Sequence, residues 1–517
     1  MSIRSHTFRN TLYSMAGTYT EYVLGMLTSV VIARYLGPEG LGVYSVAIWL
    51  VAMGVAVANS GSASTVIRFV AELRGADAMA QVPTMVAWTR RAQRGYLAVL
   101  LVLVVALVAI AGERFAPGMD PRLLIAFLLV AIASRASYML NVGIAKGFED
   151  FGIVARVALV GAPVNLVLVL VACWLGASLE VLLGVFCVSG LVFLVVSARL
   201  VAPLRRGHAP APLDPGFMAR VRRHMLLASA TVSASFVAAS EVEVVFLNVF
   251  TGQEAAGHFK AAYQLALGMS ALVPGVFSAL LLPMMASARA QGGGLPGRRV
   301  VSTTAYLGLL SSLLVAFALA LSGPAIRTLF GEAYADAVPV FTICLVGAAM
   351  TAASTGASSL LISSDRQGTI LALVLASCAL KLALDLLLIP PFGLIGAACA
   401  FITVATAVVV AMFWLAMRQT GVAPDWARLA RIGVAAGLAA LAAMPAARGL
   451  APLPGLLVGG VVLVLVHGFA TLLLGCWTRA DVEQMQALHR RLAGARLVPG
   501  ARLLEWARRR APEEASA

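Results

Sequence analysis

The stretch Leu36-Gly37-Pro38-Glu39-Gly40-Leu41-Gly42-Val43-Tyr44-Ser45 returns 215 positions later as Thr251-Gly252-Gln253-Glu254-Ala255-Ala256-Gly257-His258-Phe259-Lys260. Aligned without a gap, the copies share two glycines, one glutamate and one aromatic position: Gly37 with Gly252, Glu39 with Glu254, Gly42 with Gly257, and Tyr44 with Phe259. In each copy the glycines indicate a tight turn between helices, and the glutamate falls near the start of the next helix, where its charge suits the helix dipole. The repeat predicts two similar halves in one chain, unless an ordinary interhelical turn simply recurs.

The composition around this repeat is that of a membrane protein. Of 517 residues, 61% are hydrophobic and 12% are charged, and the mean hydropathy is +0.93. These values exclude a soluble globular protein of this length. Apolar segments of about 20 residues recur from end to end, each long enough to cross a hydrocarbon layer roughly 30 Å thick. We therefore predict an all-α polytopic membrane protein.

Fourteen transmembrane segments are predicted, at about 10–32, 41–67, 95–112, 122–144, 153–175, 179–201, 225–250, 257–284, 300–322, 337–362, 369–389, 394–417, 432–449 and 455–477. The short basic start of the chain precedes an apolar run long enough to be a true span, so no cleavable signal peptide is expected. The predicted organisation is two pseudo-symmetric six-helix lobes at 1–201 and 225–417, a basic linker at 202–224, two additional helices at 418–477, and a basic amphipathic tail at 478–517 on the membrane surface.

The placement of lysine and arginine predicts the orientation of the chain. With the N-terminus in the cytoplasm, most of the 38 basic residues fall on the cytoplasmic side. Those on the opposite side are Arg34, Arg114, Arg122, Arg327 and Arg448. The positive-inside rule then puts both termini in the cytoplasm. Anionic lipid accounts for the net charge of +15, so a nucleic-acid partner is not expected.

Charged side chains within the apolar segments are the first functional candidates, because a charge at membrane depth costs about 2.5 to 3.5 kcal/mol on insertion scales. Arg135 lies well inside segment four, where it cannot easily snorkel, and Glu21 lies near the middle of segment one. Glu241 and Glu243 lie about 200° apart on a helix. One of them is expected to line the interior, while the other pairs elsewhere or lies nearer the boundary.

Two further pairs have helical spacing. Lys381 and Asp385 lie at i and i+4 on one face, so they form either a self-neutralising pair or a functional group. Arg68 and Glu72 have the same spacing at the cytoplasmic end of segment two, where we predict an interfacial ion pair. Lys260 begins segment eight, and it either snorkels to the outer interface or binds substrate.

Helix-weakening residues fall at matching places in the repeat. Asn59-Ser60-Gly61 in segment two corresponds to Pro274-Gly275-Val276 in segment eight. Bends at one depth in two related helices suit an alternating-access transporter, although packing alone can also bend helices.

Sequence motifs for catalysis are missing. The chain has no Walker A loop, nucleophile elbow, dinucleotide fingerprint or metal motif, and its six cysteines lie in apolar segments without CxxC spacing. We predict that the protein is not an enzyme.

Three ordered motifs resemble those of a known family. They are Ala33 to Ser45 with Ile67-Arg68-Phe69-Val70-Ala71-Glu72, then Leu329-Phe330-Gly331-Glu332-Ala333-Tyr334-Ala335-Asp336-Ala337, and Leu384-Asp385-Leu386-Leu387-Leu388-Ile389-Pro390 with Phe392-Gly393-Leu394-Ile395-Gly396-Ala397-Ala398. Together they resemble the Wzx-like polysaccharide biosynthesis flippases of the multidrug/oligosaccharidyl-lipid/polysaccharide (MOP) exporter superfamily.

The resemblance implies two lobes around a central cavity in a bacterial inner membrane. It also implies transfer of an undecaprenyl-diphosphate-linked oligosaccharide from the cytoplasmic to the periplasmic face without ATP. No cofactor is expected, and a proton gradient, a sodium gradient or the membrane potential would drive transport. Expected partners are the lipid-linked substrate, membrane lipids, a polysaccharide polymerase and glycosyltransferases.

The diphosphate demands cations, which assigns roles to the buried charges. The predicted substrate-binding residues are Arg135, Lys381 and Lys260. The predicted ion-coupling or charge-pairing residues are Glu21, Glu243, Glu241 and Asp385, and the predicted cytoplasmic gate is Arg68 with Glu72. The alternatives are a drug or metabolite antiporter of the same superfamily, a non-transporting component of a polysaccharide-synthesis complex, and a membrane glycosyltransferase, which the short outer loops oppose.

Overall fold

The computed structural model describes residues 3–59, 61–115, 119–205, 210–239, 241–275, 285, 295–363, 367–479, 481–483, 486–487, 505–506 and 508–509. Within these ranges the regular structure is helical, and none of these residues lies in a β-strand. The α-helices in chain order are α1 (Ile3–Asn59), α2 (Ser62–Gly75), α3 (Val82–Phe115), α4 (Pro121–Gly147), α5 (Phe151–Trp174), α6 (Leu179–Val201), α7 (Pro215–Ala239), α8 (Val242–Phe250), α9 (Gln253–Gly275), α10 (Leu295–Phe330), α11 (Ala337–Ala353), α12 (Thr355–Ser363), α13 (Gln367–Thr420), α14 (Trp426–Gly449) and α15 (Pro452–Leu473).

Most of these helices are built to cross a membrane. In the described ranges nine are long and apolar enough to do so, and a tenth span results if α11 and α12, bent by 44°, count as one. The chain is an all-α, multi-pass membrane protein, as predicted.

The two longest helices each hold two of the predicted segments. α1 has 57 residues and α13 has 54, and at 1.5 Å per residue either would be more than twice as long as a roughly 30 Å hydrocarbon layer is thick. Each is broken by one glycine with a positive φ, Gly37 (φ 70°) in α1 and Gly393 (φ 53°) in α13. Glycine adopts this backbone conformation without the strain that a Cβ would add. The predicted turn at Gly37 is confirmed.

The predicted break after Asn59 is also confirmed. α1 ends at Asn59, Gly61 has a φ of 70°, and α2 follows. A Cβ on Gly61 would lie 2.8 Å from the carbonyl oxygen of Met225 in α7, so this turn packs directly on another helix. The matching prediction at Pro274-Gly275-Val276 reaches only the end of α9, because Val276 lies outside the described residues.

Helix α7 begins earlier than predicted. It starts at Pro215, inside the stretch predicted as a linker, and the Asp214 carboxylate accepts a hydrogen bond from the Phe217 backbone N–H at 3.0 Å. An acidic cap followed by proline is an ordinary helix start, and the high polarity of this stretch concealed it.

The two copies of the repeated turn pack against each other. A Cβ on Gly42 would collide with the carbonyl oxygen of Gln253, and a Cβ on Gly257 would collide with the carbonyl oxygen of Pro38. Pro38 and Gln253 are equivalent positions of the repeat, as are the two glycines. The contact is therefore reciprocal, as in an interface between elements related by a two-fold axis. This reciprocity supports the predicted internal repeat.

The described chain divides into two compact units, which are described separately. The first comprises Met1–Gln264 with Leu371–Ala400, and the second comprises Leu265–Ile370 with Phe401–Ala517. In the second unit, α10, α14 and α15 pack through small residues that let helices approach closely in a membrane. The buried alanines of this cluster are Ala316, Ala320, Ala436, Ala439, Ala440 and Ala443.

The start of the C-terminal tail is anchored to the second unit. Thr478 and Asp481 form a capping box, in which the Thr478 backbone N–H donates to the Asp481 carboxylate at 2.9 Å and the Asp481 backbone N–H donates to the Thr478 hydroxyl at 3.3 Å. The Tyr306 hydroxyl of α10 also donates to this carboxylate, at 2.8 Å. Most of the predicted amphipathic tail helix lies outside the described residues.

Candidate functional site

A cavity of about 850 Å³ lies within the first unit. Residues of α1, α2, α4, α5, α6 and α7 line it, and most of them are apolar. The charged side chains among the lining residues are Glu21, Arg135 and Lys146. The cavity thus has mostly apolar walls, and two cationic side chains and one carboxylate lie among its lining residues.

Arg135 is the less exposed of the two cationic side chains. Its guanidinium carbon lies 3.8 Å from the centroid of the Phe186 ring, a close cation–π contact that fixes the plane of the group. Its Nε is buried and has no hydrogen-bond partner among the described residues. A guanidinium carries five N–H donors, and a buried one without partners is costly. An anionic ligand in the cavity would give the Nε–H a partner.

Glu21 is the countercharge of this cavity. It is exposed to the cavity from α1, and it interacts electrostatically first with Arg135 and then with Lys146. The predicted pairing of Glu21 with a substrate-binding cation is thus possible for both cations of the cavity.

Lys146 was missed as a site residue because sequence reasoning counted it only among the basic residues of the cytoplasmic interface. A signal was present, since eleven residues separate it from Arg135, and eleven residues return a helix to nearly the same face.

A buried amide network fixes the end of α1 at the cavity. Gln93 Nε2 of α3 donates to the Asn59 side-chain oxygen at 2.8 Å and to the Ala136 carbonyl oxygen at 2.8 Å. Asn59 also lines the cavity. Sequence reasoning treated Asn59 only as a helix-weakening residue, yet its contacts show that the break in α1 is held at a defined position.

A second cluster of charges is almost completely buried. Lys381 Nζ of α13 lies 3.1 Å from Glu243 Oε2, with side-chain exposures of 3% and 0%. Asp385, one turn from Lys381, is fully buried, and neither of its carboxylate oxygens has a hydrogen-bond partner among the described residues. Lys381 thus pairs with Glu243 in the first turn of α8, and it also interacts electrostatically with Asp385. The interpretation of Lys381 and Asp385 as either a self-neutralising pair or a functional group stays a prediction.

Lys260 also has an acidic partner. Its ammonium forms an ion pair with Glu241, which precedes α8. Glu241 and Glu243 therefore pair with different lysines, although Glu241 lies before α8 and not on one helix with Glu243 as predicted. Neither Lys260 nor Lys381 lines the 850 Å³ cavity, so Arg135 is the one predicted substrate-binding residue that the structure places there.

The predicted ion pair between Arg68 and Glu72 does not form. Glu72 instead accepts a hydrogen bond from Arg220 of α7 at 2.8 Å, and Arg68 donates to His224 Nδ1 of α7 at 3.1 Å. The Phe69 ring lies edge-on to the His224 ring, which adds an aromatic contact. Both charges of α2 therefore bind a neighbouring helix, and their role as a gate stays a prediction.

Comparisons with known proteins identify the family. The family model described as "Polysaccharide biosynthesis protein" matches residues 7–289, more than half of the chain. The chain belongs to the polysaccharide biosynthesis protein family. No curated protein matches it in sequence.

Solved structures share the fold of this family member. A structure described as lipid II flippase MurJ in an inward closed conformation matches with a TM-score of 0.70 and 13% identity, covering 89% of this chain and 98% of that chain. An inward-facing multidrug resistance MATE family transporter of the MOP superfamily matches with a TM-score of 0.64 and 15% identity, covering 78% of this chain and 94% of that chain.

A MOP superfamily transporter from Pyrococcus furiosus matches with a TM-score of 0.56 and 15% identity, covering 80% of this chain and 95% of that chain. At such low sequence identity, the structural similarity shows that the fold is shared and nothing more. The family model confirms the predicted relationship to polysaccharide biosynthesis proteins, and the predicted fold agrees with that of these structures.

Proposed function

We propose that this protein is a flippase that moves an undecaprenyl-diphosphate-linked oligosaccharide from the cytoplasmic to the periplasmic leaflet of a bacterial inner membrane. Transport would proceed by ion-coupled alternating access. The positive-inside distribution of lysine and arginine supports cytoplasmic termini. A polysaccharide polymerase and glycosyltransferases are the proposed partners, because they would consume and supply such a substrate.

The observation that carries this proposal is the charge of the cavity in the first unit. Two cations and one carboxylate leave it with an excess of one positive charge, within mostly apolar walls. Phosphate groups bind arginine and lysine through charge-assisted hydrogen bonds, which strengthen as water is excluded. An excess of positive charge repels cationic drugs, so the cavity favours an anionic lipid head over the cargo of a multidrug antiporter.

We expect Arg135→Ala to lower the rate of lipid flipping roughly 10- to 100-fold, because a hydrogen bond to a charged group is worth about 1.5–3 kcal/mol. Arg135→Lys should recover part of the rate, since lysine keeps the charge but loses the planar fork. The measurement uses purified protein in vesicles carrying a fluorescent undecaprenyl-diphosphate oligosaccharide, and follows its exposure to an outside quencher.

Arg122→Ala is the matched control, because Arg122 is an exposed arginine of the same helix that does not line the cavity. Full flipping by Arg135→Ala, at equal protein level, would remove the proposed role of the arginine. Export of cationic drugs without movement of the labelled lipid would favour the antiporter alternative.

We further propose that protons, rather than sodium ions, drive transport through Glu243, Lys381 and Asp385. Two buried carboxylates beside one ammonium leave an excess negative charge, and an uncompensated buried charge costs several kcal/mol. A proton on either carboxylate makes the cluster neutral. The ammonium of Lys381 already holds the place of a monovalent cation beside Glu243, which disfavours sodium binding at the same oxygens.

Vesicles with an imposed pH gradient are therefore expected to accumulate labelled lipid in one leaflet, whereas a sodium gradient alone should leave it evenly distributed. Asp385→Asn should abolish the accumulation while allowing slow equilibration, because the amide cannot exchange a proton. Accumulation that depends on sodium and ignores pH would contradict the proton proposal.

A further inference from the structure

One face of α4 carries every residue that this helix contributes to the cavity. The lining residues are Arg135, Tyr138, Met139, Val142, Gly143 and Lys146. Their spacings of three and four residues are those of a single helical face. Arg135 and Lys146 form the two ends of this stripe, and the four lining residues between them carry no charge.

The two cations are attached to α4 at well separated positions. Eleven residues of α-helix rise about 16 Å, and they return to within about 20° of the starting direction. Charge-assisted hydrogen bonds to phosphate are only about 2.7–2.9 Å long. The two attachment points on α4 thus lie much farther apart than the length of one such contact.

The surroundings of the two cations differ in a way that suits two steps of one path. Lys146 is exposed in the last turn of α4, at the end that the charge distribution predicts to be cytoplasmic. A hydrated ammonium on a flexible stem can meet a substrate there without much rearrangement. Arg135 lies deeper, stacked on Phe186 with a buried Nε. A rigid and partly desolvated guanidinium holds a phosphate more tightly.

Glu21 provides a means of release. It lines the same cavity as Arg135 and Lys146. A diphosphate that reaches Arg135 must compete with this carboxylate, and the carboxylate can reclaim the guanidinium when the substrate leaves.

Resting on the flippase function proposed above, we propose that Lys146 and Arg135 are successive binding stations for the diphosphate along one face of α4. Lys146 captures the head group at the mouth of the cavity, and Arg135 holds it during the transport step. Lys146 is thus a substrate-binding residue of the entry step, distinct from the residue that holds the head group at depth.

Flipping kinetics in the vesicle assay separate the two stations. Lys146→Ala should raise the half-saturating lipid concentration about 10-fold, the loss of one charge-assisted contact, while the maximal rate stays near that of the unchanged protein. Arg135→Ala should instead lower the maximal rate by at least about 10-fold. Lys146→Arg should restore the half-saturating concentration. Arg156→Ala, an exposed arginine outside the cavity, is the control.

Equal effects of Lys146→Ala and Arg135→Ala on both kinetic quantities would overturn the two-station path, as would an unchanged half-saturating concentration in Lys146→Ala. A folding defect would be visible in the melting temperature and is checked with Lys146→Arg. Failure of the unchanged protein to move the labelled lipid would instead overturn the flippase function itself, so the two failures are distinguishable.

Discussion

Replacing Lys381 with alanine is expected to abolish transport and to destabilise the folded chain by about 3–5 kcal/mol. Lys381 lies 3.1 Å from Glu243, and both side chains are almost fully shielded from solvent. Without the ammonium, the buried carboxylates of Glu243 and Asp385 lose the countercharge that Lys381 supplies. The expected loss is therefore larger than the worth of the ion pair itself, because each carboxylate must be protonated or exposed. Thermal unfolding in detergent and the vesicle assay measure the two effects.

A second variant separates stability from transport. The triple substitution Lys381→Met, Glu243→Gln and Asp385→Asn removes every charge of the cluster, and it should recover much of the lost stability. It should not recover transport driven by a pH gradient. Lys260→Ala provides the comparison, because its pair with Glu241 is less buried, with exposures of 17% and 22%, and its loss should destabilise the chain less. A Lys381→Ala chain that melts and transports normally would show that the cluster is dispensable.

The sequence predicted the helices and the breaks well because both depend on local chemistry. Long apolar runs must form helices in a membrane, since every backbone group needs a partner within the segment. The glycine–proline pair at Gly37 and Pro38 predicts a turn from these two residues alone, whatever the rest of the chain does. The capping box at Thr478 and Asp481 is likewise readable from four consecutive residues.

The partners of the charges could not be predicted in the same way. Spacing shows that Lys381 and Asp385 share a face, but it cannot show that Glu243, far away in the sequence, approaches the same lysine. The same limit applies to Arg68 and Glu72, whose helical spacing permits an ion pair, whereas the structure pairs both side chains with residues of α7. Which helices pair depends on how the whole bundle packs, and the spacing of residues within one helix does not determine it.

Alanine at Gly42 or Gly257 is expected to lower transport roughly 10- to 100-fold, although it adds only one methyl group. At each position the new Cβ would collide with a backbone carbonyl oxygen, of Gln253 or of Pro38, and backbone cannot rotate away as a side chain can. The two turns must therefore separate, at a cost of about 1–3 kcal/mol for overpacking. On the predicted orientation these turns lie on the periplasmic side, so the variants would favour a state open to that side.

The reciprocity of the contact makes this prediction specific. Because Gly42 and Gly257 are equivalent positions that meet each other's turn, one separation relieves both collisions. The double variant should therefore lose less than the sum of the two single losses, as expected for coupled neighbours. Gly25→Ala is the control within α1, because a Cβ there meets no atom within 4 Å and alanine favours the helix. The transport rate at saturating lipid is measured for the two single variants, the double variant and Gly25→Ala. If Gly42→Ala transports as well as Gly25→Ala, the glycine contact is not required for the transport cycle, and if the double loss equals the sum, the two turns do not move as one.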